Sequence, residues 1–109
     1  ILGYVPFFSK DIGRKEVFAL RVSGESMVDA GIFDGDTAII EKTGKAEHGN
    51  IVAVLVNGEI TLKEFRAGKK GNIALVPHNS QLKPLVYNAQ SKADIKILGK
   101  MIGLYRQYR

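Results

Sequence analysis

The sequence predicts a compact, mostly β domain of antiparallel strands with little helix. Three observations lead there. The apolar runs are short and rich in β-branched residues, glycine and proline punctuate them (12 and 3 in 109 residues), and no stretch carries the period of a long amphipathic helix. The length suffices for one domain with a real core and is too short for two. Residues 1–16 read as a linker or cleavage-loop remnant and residues 17–109 as the folded unit.

The opening, Ile1 to Phe8, is apolar and extended, with Pro6 opposing helix, and Ser9 to Glu16 is a polar loop. Val17 to Val22 is β-prone and ends at the turn Ser23-Gly24-Glu25-Ser26, so Ser26 is expected just beyond a strand end. Met27 to Ile32 suits a short helical turn, and Phe33-Asp34-Gly35-Asp36 a tight turn into the strand Thr37 to Ile40. Asp34 and Asp36 resemble a fragment of a calcium loop, but two carboxylates make no site, so they are read as turn residues.

Thr43 to Asn50 is polar loop. Ile51 to Val56, Asn57-Gly58 and Glu59 to Phe65 then form the clearest local signal: Asn-Gly between β-prone runs favours a type I′ hairpin, whose two central residues need positive φ. Alternation in the second strand places Thr61, Lys63 and Phe65 on one face and Ile60, Leu62 and Glu64 on the other. Further strands are expected at Ile73 to Val76, Leu85 to Tyr87 and Ile95 to Tyr105, with Gly99 and Gly103 marking bulges. The last run is apolar enough to leave an exposed edge unless a second subunit covers it, which favours a dimer.

Composition narrows the chemistry. With no cysteine, disulfides, thiolate catalysis and cysteine-based zinc sites are excluded. His48 and His78 lie far apart in polar turns and read as surface residues, so no metal and no cofactor is expected. No run approaches the roughly 18 apolar residues of a membrane span, and the opening lacks the pattern of a signal peptide, so a cytoplasmic location is expected. The net charge of +5 is spread out; its densest groups, Lys69-Lys70 and Arg106 to Arg109, lack the aromatics or helical pattern of a nucleic-acid reader.

What remains is a serine in a glycine turn and a lysine on a strand. A serine hydroxyl becomes nucleophilic when a neutral amine takes its proton, and lysine is neutral only if burial without a carboxylate partner lowers its pKa from about 10.4. Lys63, on a strand flanked by Leu62 and Phe65 and with Glu64 directed to the opposite face, permits this. The backbone N–H groups of Glu25 and Ser26 could form the oxyanion hole. Met27 is expected to pack beneath the turn, and with Ile60 and Thr61 to border a groove where an extended peptide pairs along the lysine strand. Taken alone, the same residues also suit an ordinary turn and a solvated lysine.

The longer pattern is more specific. Leu20 to Met27, Gly31 to Asp36, Gly49 to Ala53, Gly58 to Lys63, Leu75 to Ser80 and Ile97 to Gly103 together resemble, in order, the C-terminal domain of LexA-type repressors. That family includes self-cleaving phage repressors and UmuD-type polymerase subunits. The resemblance implies that Ser26 is the nucleophile and Lys63 the general base of a Ser-Lys dyad. It also implies an antiparallel β-domain that dimerises through strands near its C-terminus. The family reaction is cleavage of the chain's own linker, promoted by a RecA-like filament in the DNA-damage (SOS) response. DNA would be bound only through an N-terminal domain, absent from this sequence, which makes the chain a stand-alone protein, an excised domain or a cleavage product.

Type I signal peptidases share the chemistry but are a weaker match, because Val28-Asp29 stands where they continue with proline. A second departure concerns the substrate: Leu2-Gly3-Tyr4-Val5 resembles the segment before the scissile Ala-Gly bond, yet Pro6-Phe7-Phe8 follows. Ala30-Gly31 and Ala67-Gly68 read as turns. The sequence thus speaks against self-cleavage by this chain and keeps open a polymerase accessory role, a non-cleaving dimerisation module and a peptidase acting in trans.

Overall fold

A computed structural model describes residues 16–88 and 90–108, and the linker remnant expected at 1–16, Glu16 excepted, lies outside them. Seven strands form one antiparallel sheet: β1 (Val17–Arg21), β2 (Thr37–Lys42), β3 (Ile51–Val56), β4 (Glu59–Ala67), β5 (Ile73–Val76), β6 (Leu85–Tyr87) and β7 (Ile95–Tyr105), in the order β1-β2-β7-β3-β4-β5-β6. Helix among the described residues is confined to short 3₁₀ turns at Val28–Ala30, Lys69–Gly71 and Ser91–Asp94. The expected fold class stands, and none of these helices is long and apolar enough to cross a membrane.

The β3–β4 hairpin closes at Val56↔Glu59, and Asn57 and Gly58 both take positive φ, 51° and 80°, as the type I′ turn requires. Alternation along β4 divides its side chains between two cores. Leu62 and Ile60 join Leu20, Met27, Ile32, Ala38, Ile40 and Ala53, whereas Phe65 packs with Val52, Val54 and Leu75 on the other side.

Strand β7 departs from expectation. Its apolar run from Ile97 to Tyr105 was expected to leave an exposed edge, but only part of it does: Ile95 to Lys100 pair with β3 and Gly99 to Tyr105 pair with β2, so most of the strand lies inside the sheet. Two extra residues make this change of partner possible. Ile39 and Ile40 oppose Gly103 and Met101, leaving Ile102 over; Ala53 and Val54 oppose Gly99 and Ile97, leaving Leu98 over. The bulges thus fall immediately before the two glycines expected to mark them. Among the described residues the edge of Met101 to Tyr105 opposite β2 carries no partner strand, and Leu104 and Tyr105 are exposed there.

Candidate active site

Ser26 stands in a turn that other parts of the chain hold from three sides. Beyond β1, Val22 N–H donates to the Asp36 carbonyl at 2.7 Å and its own carbonyl accepts Gly35 N–H at 2.9 Å. Gly24 takes φ +86°, a left-handed conformation that favours glycine, and donates its N–H to Asp34 Oδ1 at 2.8 Å. After Ser26 the chain enters the Val28–Ala30 turn, closed by Gly31 N–H on the Val28 carbonyl at 2.9 Å. Met27, 2% exposed, anchors the turn in the first core, the packing role expected of it, and its Sδ accepts His78 N–H at 3.4 Å.

Strand β4 supplies the opposite wall. A cavity of about 90 Å³ is lined by Ser26, Met27, Ser23, Ile60, Thr61 and Leu62 among others, and a groove runs on past Ser23 along Gly58 to Thr61. The structure therefore gathers Ser26 and the three expected groove residues at one place. Lys63 is joined to this wall through Thr61: its Nζ donates to Thr61 Oγ1 at 2.8 Å and to the Leu62 carbonyl at 3.2 Å. Among the described residues no hydrogen bond links Lys63 to Ser26.

The electrostatics at Lys63 follow from what surrounds it. The side chain is half-buried, and loss of water pushes its pKa below the ordinary lysine value. Glu64, adjacent in sequence, is engaged elsewhere, with Arg66 Nε at 2.6 Å and His78 Nε2 at 2.7 Å, and those bonds hold its carboxyl below the usual range. Hence no carboxylate is bonded to the Lys63 amine among the described residues. His78 departs from the surface reading, since it is partly buried against Glu64, whereas His48 is exposed as expected and its Nδ1 accepts Ala67 N–H at 3.0 Å.

Beside the cavity β4 has a free backbone edge. Phe65 exchanges hydrogen bonds with Gly49 and Asn50 on the β3 side, so by alternation Ile60 and Leu62 turn their backbone groups the other way. Strand β5 covers that side only from Glu64↔Val76 onward. Among the described residues the N–H groups of Glu25 and Ser26 meet no acceptor, which suits the oxyanion role expected of them.

One support has no local signal in the sequence because it spans the chain. Asp36, expected to be a turn residue, is 2% exposed and binds Arg106 in a two-pronged ion pair, Nε to Oδ1 at 2.7 Å and Nη2 to Oδ2 at 2.6 Å. Arg106 also donates to the Gly31 carbonyl at 2.9 Å and lies 4.7 Å from the Phe33 ring centre. Asp36 Oδ2 in turn accepts Phe33 N–H at 2.7 Å, so the segment that carries Asp34 is fixed from beyond β7.

The Arg106 bonds hold the Asp36 carboxyl below its ordinary value. A depressed carboxylate stabilises the fold above its unfolded pKa, about 4, and that contribution disappears as pH falls through the folded value. Arg106→Ala is expected to lower Tm by several degrees at pH 7 and to flatten the acid dependence of Tm below about pH 4. Thermal melts of both proteins across that range check this; parallel curves would sink the assignment.

The peptidase S24-like family matches residues 2–102, a span that contains the serine turn, the lysine strand and most of β7. The chain belongs to that family. The S24-like chain is similar to the LexA repressor of Clostridium kluyveri, 48% identical over 95 residues, covering 87% of this chain and 44% of the repressor. It is similar to those of Clostridium botulinum strain Langeland, 47% over 94 residues (86% and 44%), and Clostridium novyi, 47% over 95 residues (87% and 45%). It spans less than half the length of these curated relatives. Fold and family together make this S24-like unit a domain of the LexA C-terminal type, within the serine peptidase class.

Proposed function

We propose that this domain is a Ser-Lys endopeptidase in which Ser26 is the nucleophile and Lys63 the general base, built for peptide segments that lie along the free edge of β4. The observation that carries the reading is the bonding of the Lys63 amine. A neutral amine has two N–H groups and one lone pair; Thr61 Oγ1 and the Leu62 carbonyl take two N–H groups and leave the lone pair free to accept a proton. The charged form carries a third N–H, which in the undocked, half-buried site is left to solvent.

A peptide strand added beside Ile60 and Leu62 would cover Lys63, expel water and favour the neutral amine. Ser26 Oγ then bonds to the scissile carbonyl carbon while its proton passes to Lys63 Nζ and the carbonyl electrons collect on oxygen, near the Glu25 and Ser26 N–H groups. Collapse breaks the C–N bond, Lys63 returns the proton to the leaving amine, and water, deprotonated by the same lysine, releases the acyl group. Undocked, the lysine is protonated and the site is at rest.

By similarity to LexA repressors, the reading extends to the self-cleaving, dimer-forming half of a repressor released by a RecA-like filament in the SOS response. DNA would be reached only through another domain. The free β7 edge at Met101 to Tyr105 is where a second copy would add its own strand; a purely monomeric species in sedimentation at high micromolar concentration would remove that part. Segment Leu2 to Val5, with Pro6-Phe7-Phe8 after it, lies outside the described residues, so the substrate bond is supplied in the test.

A peptide spanning an Ala-Gly linker, incubated with the domain and followed by mass spectrometry, is expected to be cut at Ala-Gly. Ser26→Ala should lose more than about 1,000-fold of that rate. Equal cleavage by the variant would rule out Ser26 as the nucleophile.

A further inference from the structure

We propose that Asn79 is a positioning residue for the oxyanion hole, holding the Glu25–Ser26 peptide so that the Ser26 N–H faces the carbonyl under attack. The inference rests on the reading of Ser26 as the nucleophile and deepens it. Its starting point is a bond across 54 positions of sequence: Asn79 Nδ2 donates to the Glu25 carbonyl at 2.9 Å. The other end of the carboxamide is fixed as well, since Oδ1 accepts Gln81 N–H at 2.9 Å. That second bond settles which end of the side chain is the donor, because an oxygen turned toward Glu25 would face another oxygen and leave Gln81 N–H unpaired.

Glu25 C=O receives a second donor on the same side, Val28 N–H at 3.3 Å. A peptide group is planar and trans, so its N–H points opposite to its C=O. With the carbonyl held toward Asn79 and Val28, the Ser26 N–H is turned away from them and toward the side where it meets no acceptor among the described residues. An unbonded donor beside a nucleophile is costly in a free turn, which could rotate the peptide and bond elsewhere. Asn79 removes that freedom and so preorganises the donor before substrate arrives.

The segment that delivers Asn79 is itself docked on the serine turn. Asp29 N–H donates to the His78 carbonyl at 2.7 Å, and Ser80 N–H donates to Asp29 Oδ2 at 3.1 Å. These contacts join the same two segments without touching the Glu25 carbonyl, which provides an internal control. A general clamp would spread its effect over all of them; a positioning bond concentrates it at Asn79.

The test measures kcat and KM on the Ala-Gly peptide for wild type, Asn79→Asp, Asn79→Ala, Asp29→Ala and Ser26→Ala, each first confirmed as folded by its thermal melt. Asn79→Asp keeps the acceptor for Gln81 but sets a charged oxygen against the Glu25 carbonyl, so Asn79→Ala, which removes the donor without adding charge, is measured beside it. Expected for either is a kcat about 10- to 100-fold lower with KM within about twofold. Asp29→Ala should remain within about twofold of wild type. A wild-type kcat in both Asn79 variants, or an equal loss in Asp29→Ala, overturns the positioning role while leaving the nucleophile intact. Failure of wild type to cleave, or unchanged cleavage by Ser26→Ala, overturns the peptidase reading and this inference with it.

Discussion

Lys63→Met should abolish peptide cleavage, by about 1,000-fold or more, while making the domain harder to melt at neutral pH. The two effects have one cause. Burial lowers the pKa of Lys63, so its ammonium is disfavoured in the folded state, and the unfolded chain binds the proton more readily. Between the depressed folded value and the ordinary lysine value the unfolded state holds more protons, so wild-type stability rises with pH through that window. Methionine, of similar length and uncharged, removes this cost and also removes the proposed base. The same titration governs rate: wild-type kcat/KM should increase about tenfold per pH unit below the lysine's folded pKa and level off above it. A flat profile from pH 6 to pH 10, or a methionine variant that melts below wild type at pH 7, would contradict the assignment.

Gly99→Ala is expected to be the most damaging single-methyl addition considered, costing about 3 kcal/mol and about 15 °C in Tm. Gly99 lies where β7 changes partner from β3 to β2, and a Cβ there would overlap the Glu41 carbonyl and the Ile40 side chain. Backbone cannot yield as a flexible side chain can, and Ile40 is fully buried. Gly103 provides the contrast. Its added Cβ would meet Ile39 atoms at 3.6 Å, an ordinary contact, so Gly103→Ala should stay within about 1 kcal/mol of wild type. Urea titration of the two variants checks the difference; equal midpoints would show that β7 does not cross the sheet so tightly.

What could be read from the sequence divides along the range of the interaction. The β3–β4 hairpin was legible because Asn57-Gly58 and the alternation around Lys63 are local facts, and the structure keeps both. Ser26 and Lys63 were singled out partly by chemistry and mainly by family resemblance. Pairing between distant segments was not legible. Nothing near Asp36 distinguishes a turn carboxylate from one buried under Arg106, and nothing near Asn79 announces a bond to Glu25. His78 reads as a polar turn residue until β4 places Glu64 beside it. Likewise, an apolar run marks β7 as a strand, but its neighbours depend on β2 and β3, which lie far away in the chain.

The dependence of the serine turn on later residues gives the fold a temporal order. A ribosome adds about 5 to 20 residues per second, so Arg106 follows Ser26 by about 4 to 16 s. Through the later part of that interval, once Lys63 has been added, the growing chain carries both hydroxyl and amine, but Asp36 has no guanidinium to bind and β7 has not yet joined the two parts of the sheet. The proposed nucleophile is thus made early and its turn braced about 80 residues later. On the proposed reading, translation itself becomes a safety interval, in which a chain still lacking Arg106 lacks the rigid turn that peptide cleavage would require.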